Sequence, residues 1–209
     1  MAGYDEGVFD LDGGRLCLDF ANTLSPSSGE HLNAYDDLVA FADESGLLAP
    51  QNAAWLRQEA VQHRARAEPV MERAYTLRTA IFEIFSSLAA GRALDAEDLE
   101  MLNYEVAAGM AHARIEHVPD DGQPPRFRWA WSALELDRPL WEVARSAAEL
   151  LVNEDDRRRV RECGGVDCRW LFLDTSKNRS RQWCSMQSCG NRQKARRHYE
   201  RMRARQTAN

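Results

Sequence analysis

Residues 163–192 read CGGVDCRWLFLDTSKNRSRQWCSMQSCGNR and contain four of the five cysteines of the chain. Their spacing is Cys163-x4-Cys168-x15-Cys184-x4-Cys189, which is two short cysteine loops separated by a hairpin-sized spacer. Structural zinc sites take four thiolate or imidazole donors at tetrahedral corners, and paired cysteine loops supply them. The spacing therefore predicts one structural Zn²⁺ ion, bound by Cys163, Cys168, Cys184 and Cys189.

Such small modules bury little apolar surface, and zinc contributes on the order of 10–16 kcal/mol to their folding. We therefore expect residues 157–205 to unfold on chelation while the larger N-terminal part survives. An iron–sulfur cluster and four unrelated buried thiols are the alternatives to zinc. A catalytic zinc is disfavoured because four thiolates leave no open coordination position. Cys17 stands in an apolar segment, where we expect a small core residue rather than a reactive thiol.

The segment after Cys189 contains neither proline nor internal glycine, so we expect it to form a helix. One face of that helix would be available to pack on the zinc module; it carries Ala195, His198, Tyr199 and Met202. Basic side chains flank this face: Arg192, Arg196 and Arg203 on one side, Lys194, Arg201 and Arg205 on the other, with Arg197 beyond. Guanidinium groups bind phosphates and guanine edges. A solvated charged face is the alternative, although Glu200 is the only acid of the segment.

Charge is distributed unevenly along the chain. The net charge of −6 combines +8 in residues 153–209 with −14 in residues 1–152. The change of sign falls at Glu154-Asp155-Asp156-Arg157-Arg158-Arg159, where we place a domain boundary. This asymmetry indicates a polyanionic partner for the C-terminal part.

The first 152 residues are predicted to be mostly helical. Periodic apolar residues predict helices at 34–48, 51–66, 69–90, 95–108 and 140–152, with Pro69 in the first turn of the third. Residues 112–132 alternate with period two around PDDGQPP (119–125), which predicts a β-hairpin. The opening segment 8–25 has a Gly13-Gly14 turn and an apolar run of either type. The expected fold is mainly α with one β-hairpin (α+β): a helical domain at 1–153, then a small treble-clef-like zinc module at 154–209 that ends in a helix.

Polar residues in the apolar opening segment suggest a ligand site. Asp19, Asn22 and Thr23 need partners if they are buried, and Arg78 is a candidate partner for Asp19. A ligand pocket would combine Asp19, Asn22, Arg78 and Asn103 with the hairpin residues Trp129 and Trp131. The alternative, which we favour, is a helix cap, a buried ion pair and tryptophans packed in the core.

The sequence contains no phosphate-binding loop, no Gly-x-Ser-x-Gly and no HExxH, so we do not expect an enzyme. The longest apolar stretch, Ala80–Ala90, is shorter than the roughly 20 residues of a membrane span. The acidic opening residues show no secretory signal. We expect a soluble cytoplasmic protein that does not contact membranes.

The residues around the cysteines carry a specific similarity. Arg161-Glu162-Cys163, Trp170-Leu171-Phe172-Leu173-Asp174-Thr175-Ser176, Arg181, Trp183-Cys184-Ser185-Met186 and Cys189-Gly190-Asn191-Arg192-x-Lys194 resemble the CGNR-type zinc finger of bacterial proteins. Residues 13–23, GGRLCLDFANT, are similar to the start of the ABATE domain that usually precedes this finger. Leu77-Arg78 and Leu102-Asn103 are less specific points of similarity.

The resemblance implies a stress-related bacterial transcription regulator, with an N-terminal domain that senses an unknown ligand or signal and a finger that binds DNA. Asn191 and Arg192 would then begin the recognition helix, where Asn reads adenine and Arg reads guanine. The alternative role of Asn191 is a helix cap. The nucleic-acid-binding candidates are Asn191, Arg192, Lys194, Arg196, Arg197, Arg201 and Arg203.

Other functions stay open at this point. The module could bind RNA, or the chain could bind a small molecule and use the finger to contact another protein. A homodimer is a further expectation, because regulators often read two half-sites.

Overall fold

The computed structural model describes residues 8–119 and 126–207. Residues 1–7 and most of the predicted turn at 119–125 lie outside these ranges. The helices are α1 (Leu16–Ala21), α2 (Tyr35–Glu44), α3 (Pro50–Gln62), α4 (Arg64–Ala89), α5 (Ala96–Met110), α6 (Arg138–Val152), α7 (Glu154–Arg157) and α8 (Asn191–Thr207). The strands are β1 (Leu24–Ser25), β2 (Gly29–Glu30), β3 (Ala113–Val118), β4 (Arg126–Trp131), β5 (Val160–Glu162) and β6 (Leu171–Leu173).

The strands pair antiparallel as β1–β2, β3–β4 and β5–β6. The predicted fold class is confirmed: the chain is mainly helical, with small two-stranded sheets and a C-terminal cysteine module that ends in a helix. The short β1–β2 pair was not predicted. Of the helices in the described ranges, none is both long and apolar enough to cross a bilayer.

Local sequence signals explain where several helices begin. Asp37 accepts hydrogen bonds from the backbone amides of Asn33 and Ala34 and so caps α2. Asp95 accepts from the amide of Glu97 at the start of α5, as the sequence predicted. Pro50 occupies the first turn of α3, where a missing N–H costs nothing.

The prediction that α4 begins at Pro69 is wrong, because the helix starts five residues earlier at Arg64. The break between α3 and α4 is His63, whose φ of −125° and ψ of 52° are not helical. Pro69 removes only one backbone hydrogen bond. The residues Arg64–Glu68 that precede it favour helix and form the first turn of α4.

Helix α4 is the centre of the hydrophobic core. Its buried face includes Leu77, Ile81 and Phe85, and it contacts α1, α2, α3, α5 and α6. The short α1 is buried almost completely and packs against α4 and α6. Cys17 is fully buried there, and burial raises the pKa of its thiol to about 12, which agrees with an inert core residue.

The β3–β4 hairpin occurs where the sequence predicted it. The ring of Trp131 lies 5.5 Å from that of Trp141, and its indole N–H donates to Glu142 at 2.9 Å. Trp129 is 39% exposed, and the guanidinium of Arg145 lies 5.7 Å from its ring centroid. Trp131 thus packs against a buried tryptophan, whereas Trp129 is exposed, and the prediction that both tryptophans pack in the core is wrong for Trp129.

The C-terminal module (residues 159–207) shares the core of the helical domain (residues 8–153). Val160, Leu171 and Leu173 belong to the same buried cluster as the helices. Phe172, between the two leucines, belongs instead to the cysteine cluster. Side chains alternate across a strand, so β6 is buried on both faces and joins the two parts.

Candidate metal centre

The four predicted cysteine ligands are buried and lie together. Their Sγ atoms are all within 4.8 Å of one another. Cys184 Sγ is 3.7 Å from Cys168 Sγ and 3.7 Å from Cys189 Sγ. Zn–S bonds of about 2.3 Å at tetrahedral angles place two sulfurs about 3.8 Å apart. The spacing of the sulfurs therefore fits one structural zinc ion with four thiolate ligands.

The thiols cannot all ionise without a cation, because they are neighbours. Hydrogen bonds from Cys168 and Cys184 lower the pKa of the Cys163 thiol to about 2. The hydrogen bond with Cys163 in turn raises the pKa of Cys168 to about 12 and raises the pKa of Cys184 as well. A bound Zn²⁺ removes this conflict because it stabilises all four thiolates.

The backbone of both cysteine loops supports the site. The amides of Gly165 and Cys184 point at Cys163 Sγ, at 3.4 and 3.3 Å. A Cβ at Gly165 would lie 3.0 Å from Cys189 Sγ, so a side chain there would enter the sulfur cluster. The second loop is a π-helical turn, Met186–Gly190, which leads directly into α8. Zinc would thus connect the β5–β6 hairpin to the start of that helix.

Arg181, a residue of the cysteine motif for which no role was predicted, holds the second cysteine loop through hydrogen bonds to its backbone. Its Nε donates to the carbonyl of Trp183 at 2.9 Å, and its NH2 donates to the carbonyl of Cys184. Its guanidinium lies 4.5 Å from the ring centroid of Phe172, the aromatic residue under the sulfurs. Arg181 therefore holds the backbone at Trp183 and Cys184 in place, and Cys184 is the third cysteine of the motif. The motif position was visible in the sequence, but its contacts with carbonyls were not.

The predicted basic helix is present as α8, but it does not pack as expected. Ala195, His198, Tyr199 and Met202 were expected to contact the zinc module, yet all four are exposed, Tyr199 by 72%. Among the described elements, α8 contacts mainly the π-helical turn before it. The π-helical turn holds the first residues of the helix, and the rest extends away from the module. The prediction of a packed apolar face is therefore wrong.

The candidate nucleic-acid residues lie along this exposed helix. All seven are exposed to solvent: Asn191, Arg192, Lys194, Arg196, Arg197, Arg201 and Arg203. Arg196 pairs with Glu200 at 2.9 Å. Arg192 and Arg196 also line a cleft of about 420 Å³, together with Pro26 and Ser27 of the β1–β2 turn.

Asn191 does not cap α8 in the predicted way. A capping side chain accepts a hydrogen bond from a backbone amide of the first turn. Asn191 is instead the first helical residue, and its side-chain amide donates to the carbonyl of Gln187 at 3.1 Å. This contact uses the side-chain N–H of an exposed residue.

Two contacts fix the C-terminal module against α1 and the loop before it. Asn22 bonds the backbone of Leu171 in β6 with both its oxygen and its nitrogen. The amide of Leu173 donates to the carbonyl of Gly13 at 2.8 Å. The role of Asn22 is thus to dock the module.

The four residues predicted to bind a ligand do not form one pocket. Asp19 does not pair with Arg78; it accepts a hydrogen bond from the amide of Gly13 at 2.7 Å. Arg78 pairs with Glu30 through two bonds of 2.6 Å and donates to Thr23 at 3.1 Å. Asn103 is exposed on α5 and lines neither of the two clefts that Asp19 lines. Glu30 was not predicted as the partner of Arg78, because the two-residue strand β2 is too short to show a periodic pattern.

Comparison with protein-family models gives two matches. Residues 14–154 match the ABATE model, described as "Putative stress-induced transcription regulator". Residues 159–202 match the model of the CGNR zinc finger. Neither description is that of an enzyme. The comparison with curated proteins gave no match.

Proposed function

The chain belongs to the ABATE family and carries a CGNR zinc finger, and from that premise we propose that it is a zinc-dependent transcription regulator that binds DNA through α8. The observation that carries this proposal is the exposed basic surface of α8. The helix contains seven basic residues and one acid, and it is exposed along its described length.

The dimensions and charge of α8 suit a nucleic-acid groove. Seventeen residues at about 1.5 Å each give a helix about 26 Å long. The B-DNA major groove, about 12 Å wide, admits one α-helix between two phosphate backbones. Basic residues on both flanks would contact these backbones. Asn191 and Arg192, at the start of the helix, are the proposed base-reading residues.

Zinc has a positional role in this proposal. Cys163, Cys168, Cys184 and Cys189 would hold the ion, and its bonds to their sulfurs would link the π-helical turn to the β5–β6 hairpin. The residues of the chain do the rest: Arg181 fixes the second cysteine loop, and Asn22 fixes β6 against α1. As long as these contacts are made, they fix the position of the start of α8 relative to the helical domain.

Sensing by the helical domain, a small-molecule effector, a homodimer and the domain boundary at residue 153 stay predictions. Of the residues first predicted for an effector, Asp19, Asn22 and Arg78 make structural contacts, and Asn103 is exposed on α5. A cavity of about 760 Å³ between α2, α3 and α4, lined by Tyr35, Met71 and Tyr75 among others, has the volume typical of small-molecule sites. We propose that this cavity, rather than the Asp19 region, is the place for an effector.

The test is the binding of zinc-loaded, full-length protein to labelled random-sequence duplex DNA between 50 and 300 mM salt, of the order at which phosphate contacts are screened. We expect log K to fall linearly with log salt, with a slope of about −0.9 per phosphate contacted. The double variant Arg192→Glu/Arg196→Glu should abolish binding. Selection from a random duplex library then identifies the preferred sequence.

The matched control is Arg64→Glu/Arg66→Glu, which makes the same change of net charge on exposed residues of α4. It should keep most of the affinity of the wild type. Equal loss in both variants, or no binding of the wild type at low salt, contradicts the proposal. Tighter binding to single-stranded or folded RNA than to duplex DNA would assign the finger to RNA instead.

A further inference from the structure

A small polar cavity lies where the C-terminal module meets the helical domain. It has a volume of about 20 Å³ and is lined by Phe9, Asp10, Asp19, Asn22, Thr23, His31 and Trp170. A single water molecule needs roughly 10–15 Å³ and two or more polar partners. The cavity offers such partners: His31 Nε2 and Trp170 Nε1 are buried and have no hydrogen-bond partner among the described residues.

Asp19 connects this cavity to the module through two consecutive hydrogen bonds. Its carboxylate accepts from the amide of Gly13 at 2.7 Å, and the carbonyl of Gly13 accepts from the amide of Leu173 at 2.8 Å. Residue 13 has no room for a side chain, because a Cβ at Gly13 would lie 2.8 Å from Asp19 Oδ1. Trp170 of the module forms another wall of the same cavity.

The surroundings of Asp19 disfavour its negative charge. Burial raises the pKa of its carboxyl to about 7, against the opposing hydrogen bond from Gly13, and the charge of Asp12 adds to the increase. Asp10 and His31 face it across the cavity, Arg15 lines a surface cleft with it, and the thiol of Cys17 is close. The module contributes only the uncharged indole of Trp170 to the cavity wall.

We propose that Asp19 is a proton-binding site that couples docking of the C-terminal module on the helical domain to pH. If the module separates, Trp170 leaves the cavity wall, the carboxylate becomes more exposed to water, and its affinity for a proton falls. The docked state therefore binds the proton more tightly than the separated state. By linkage, docking is strongest at low pH and weakens as the pH rises to about 7.

The consequence for DNA rests on the proposed function. A docked module holds α8 in one orientation, and a separated module does not. Acidification through neutral pH would then favour the DNA-binding form, so that a proton acts as the signal. The docking equilibrium itself is measured without nucleic acid, so it can fail or succeed independently of DNA binding.

The experiment is hydrogen exchange of the Leu171 and Leu173 amides, which both donate across the junction. It uses zinc-loaded, full-length protein, and each rate is compared with the intrinsic rate at the same pH. With a midpoint near 7 in the docked state, protection should be about tenfold lower at pH 8 than at pH 6. In Asp19→Asn, which still accepts from Gly13, protection should not depend on pH. Asp10→Asn, an exposed residue of the same cavity, should behave as the wild type.

Two results would overturn the proposal: equal protection of the wild type at both pH values, or the same tenfold decrease in Asp19→Asn. Zinc content is measured in each sample, so that loss of metal is not mistaken for separation. An independent measurement is the carbon-13 titration of the Asp19 carboxyl in the wild type. A midpoint near 7 supports the proposal, and a midpoint below 5 refutes it even if the variant does not fold.

Discussion

The side chain of Asn22 exchanges two hydrogen bonds with the backbone of Leu171, which lies 149 residues further along the chain. Asn22 Nδ2 donates to the carbonyl of Leu171 at 2.9 Å, and the amide of Leu171 donates to Asn22 Oδ1 at 2.8 Å. Both residues are buried. The side chain of Asn22 thus satisfies both backbone hydrogen-bonding groups of Leu171, on the edge of β6 that does not pair with β5.

Replacing Asn22 tests this contact. In Asn22→Ala, a buried N–H and a buried C=O lose their partners, and each loss costs about 1–3 kcal/mol. We expect the free energy of unfolding, measured by urea denaturation, to fall by about 2–4 kcal/mol. Asn103→Ala on the exposed face of α5 is the matched control, with a change below about 0.5 kcal/mol. Similar values for the two variants would show that the contact contributes little.

Zinc removal should affect both parts of the molecule. The sequence predicted that residues 157–205 unfold alone on chelation. Because Val160, Leu171 and Leu173 lie in the core of the helical domain, we now expect that domain to become less stable as well. Elemental analysis should find one zinc per chain, and chelation should lower the thermal midpoint of the far-UV dichroism of the helices. An unchanged midpoint would restore the first prediction.

A matched pair of cysteine variants controls the zinc experiment. Cys189→Ser removes one ligand and should reproduce the effect of chelation, with a loss of bound zinc. Cys17→Ala lies in α1, away from the sulfur cluster, and should retain one zinc per chain. If Cys17→Ala lost its zinc, general destabilisation rather than ligand loss would explain the result.

Arg181 should matter for zinc affinity even though it is a basic residue near the proposed DNA surface. Arg181→Ala removes two hydrogen bonds to carbonyls and the contact with Phe172. We expect a loss of about 1–3 kcal/mol in stability and weaker zinc retention in a competition with a chelator. Lys177→Ala, an exposed residue of the same loop, should change neither. An effect of Arg181→Ala on DNA binding alone would contradict this structural role.

The Arg78–Glu30 pair should make stability depend on pH in the acid range. Although partial burial opposes it, the hydrogen bonds from Arg78 and from the Leu32 amide lower the pKa of Glu30 below its ordinary value. The stabilisation is therefore fully present above about pH 4.5 and is lost as the pH falls through the lowered value. Glu30→Gln should lose stability at pH 7 and show a smaller decrease on acidification.

Unfolding midpoints of both proteins between pH 3 and 7, a range that brackets ordinary carboxyl titration, measure this difference. Glu68→Gln is the control, because its pair with Arg64 is exposed to solvent and contributes little. A wild type whose acid dependence matches that of Glu30→Gln would exclude the pair as its cause.

Local signals made most of the fold predictable. The cysteine spacing, the start of a helix at Asp95 and the alternation around β3–β4 each act over a few residues, and each was confirmed. What could not be predicted depends on contacts between distant segments. Nothing near Asn22 in the sequence indicates that its partner is the backbone of Leu171, because a backbone group has no residue-type signature.

The failures have physical causes as well. The periodicity correctly predicts one face of a helix, formed by Ala195, His198, Tyr199 and Met202. It does not indicate whether another part of the protein packs against that face. Asp19 and Arg78 were paired because they are opposite charges in apolar contexts. In the fold, the guanidinium of Arg78 pairs with Glu30, and the carboxylate of Asp19 accepts a hydrogen bond from the amide of Gly13.

Because Leu171 and Leu173 complete the core around α1 and α4, the order of synthesis matters for this protein. The helices emerge from the ribosome first, and Leu171 and Leu173 of β6 cannot join their core until residue 173 has left the exit tunnel. During that interval the nascent chain exposes the apolar surface that Leu171 and Leu173 later cover, and the side-chain amide of Asn22 lacks its backbone partner. We expect truncated chains that end before β6 to be captured by chaperones or degraded, whereas chains that extend beyond the second cysteine loop can complete the core.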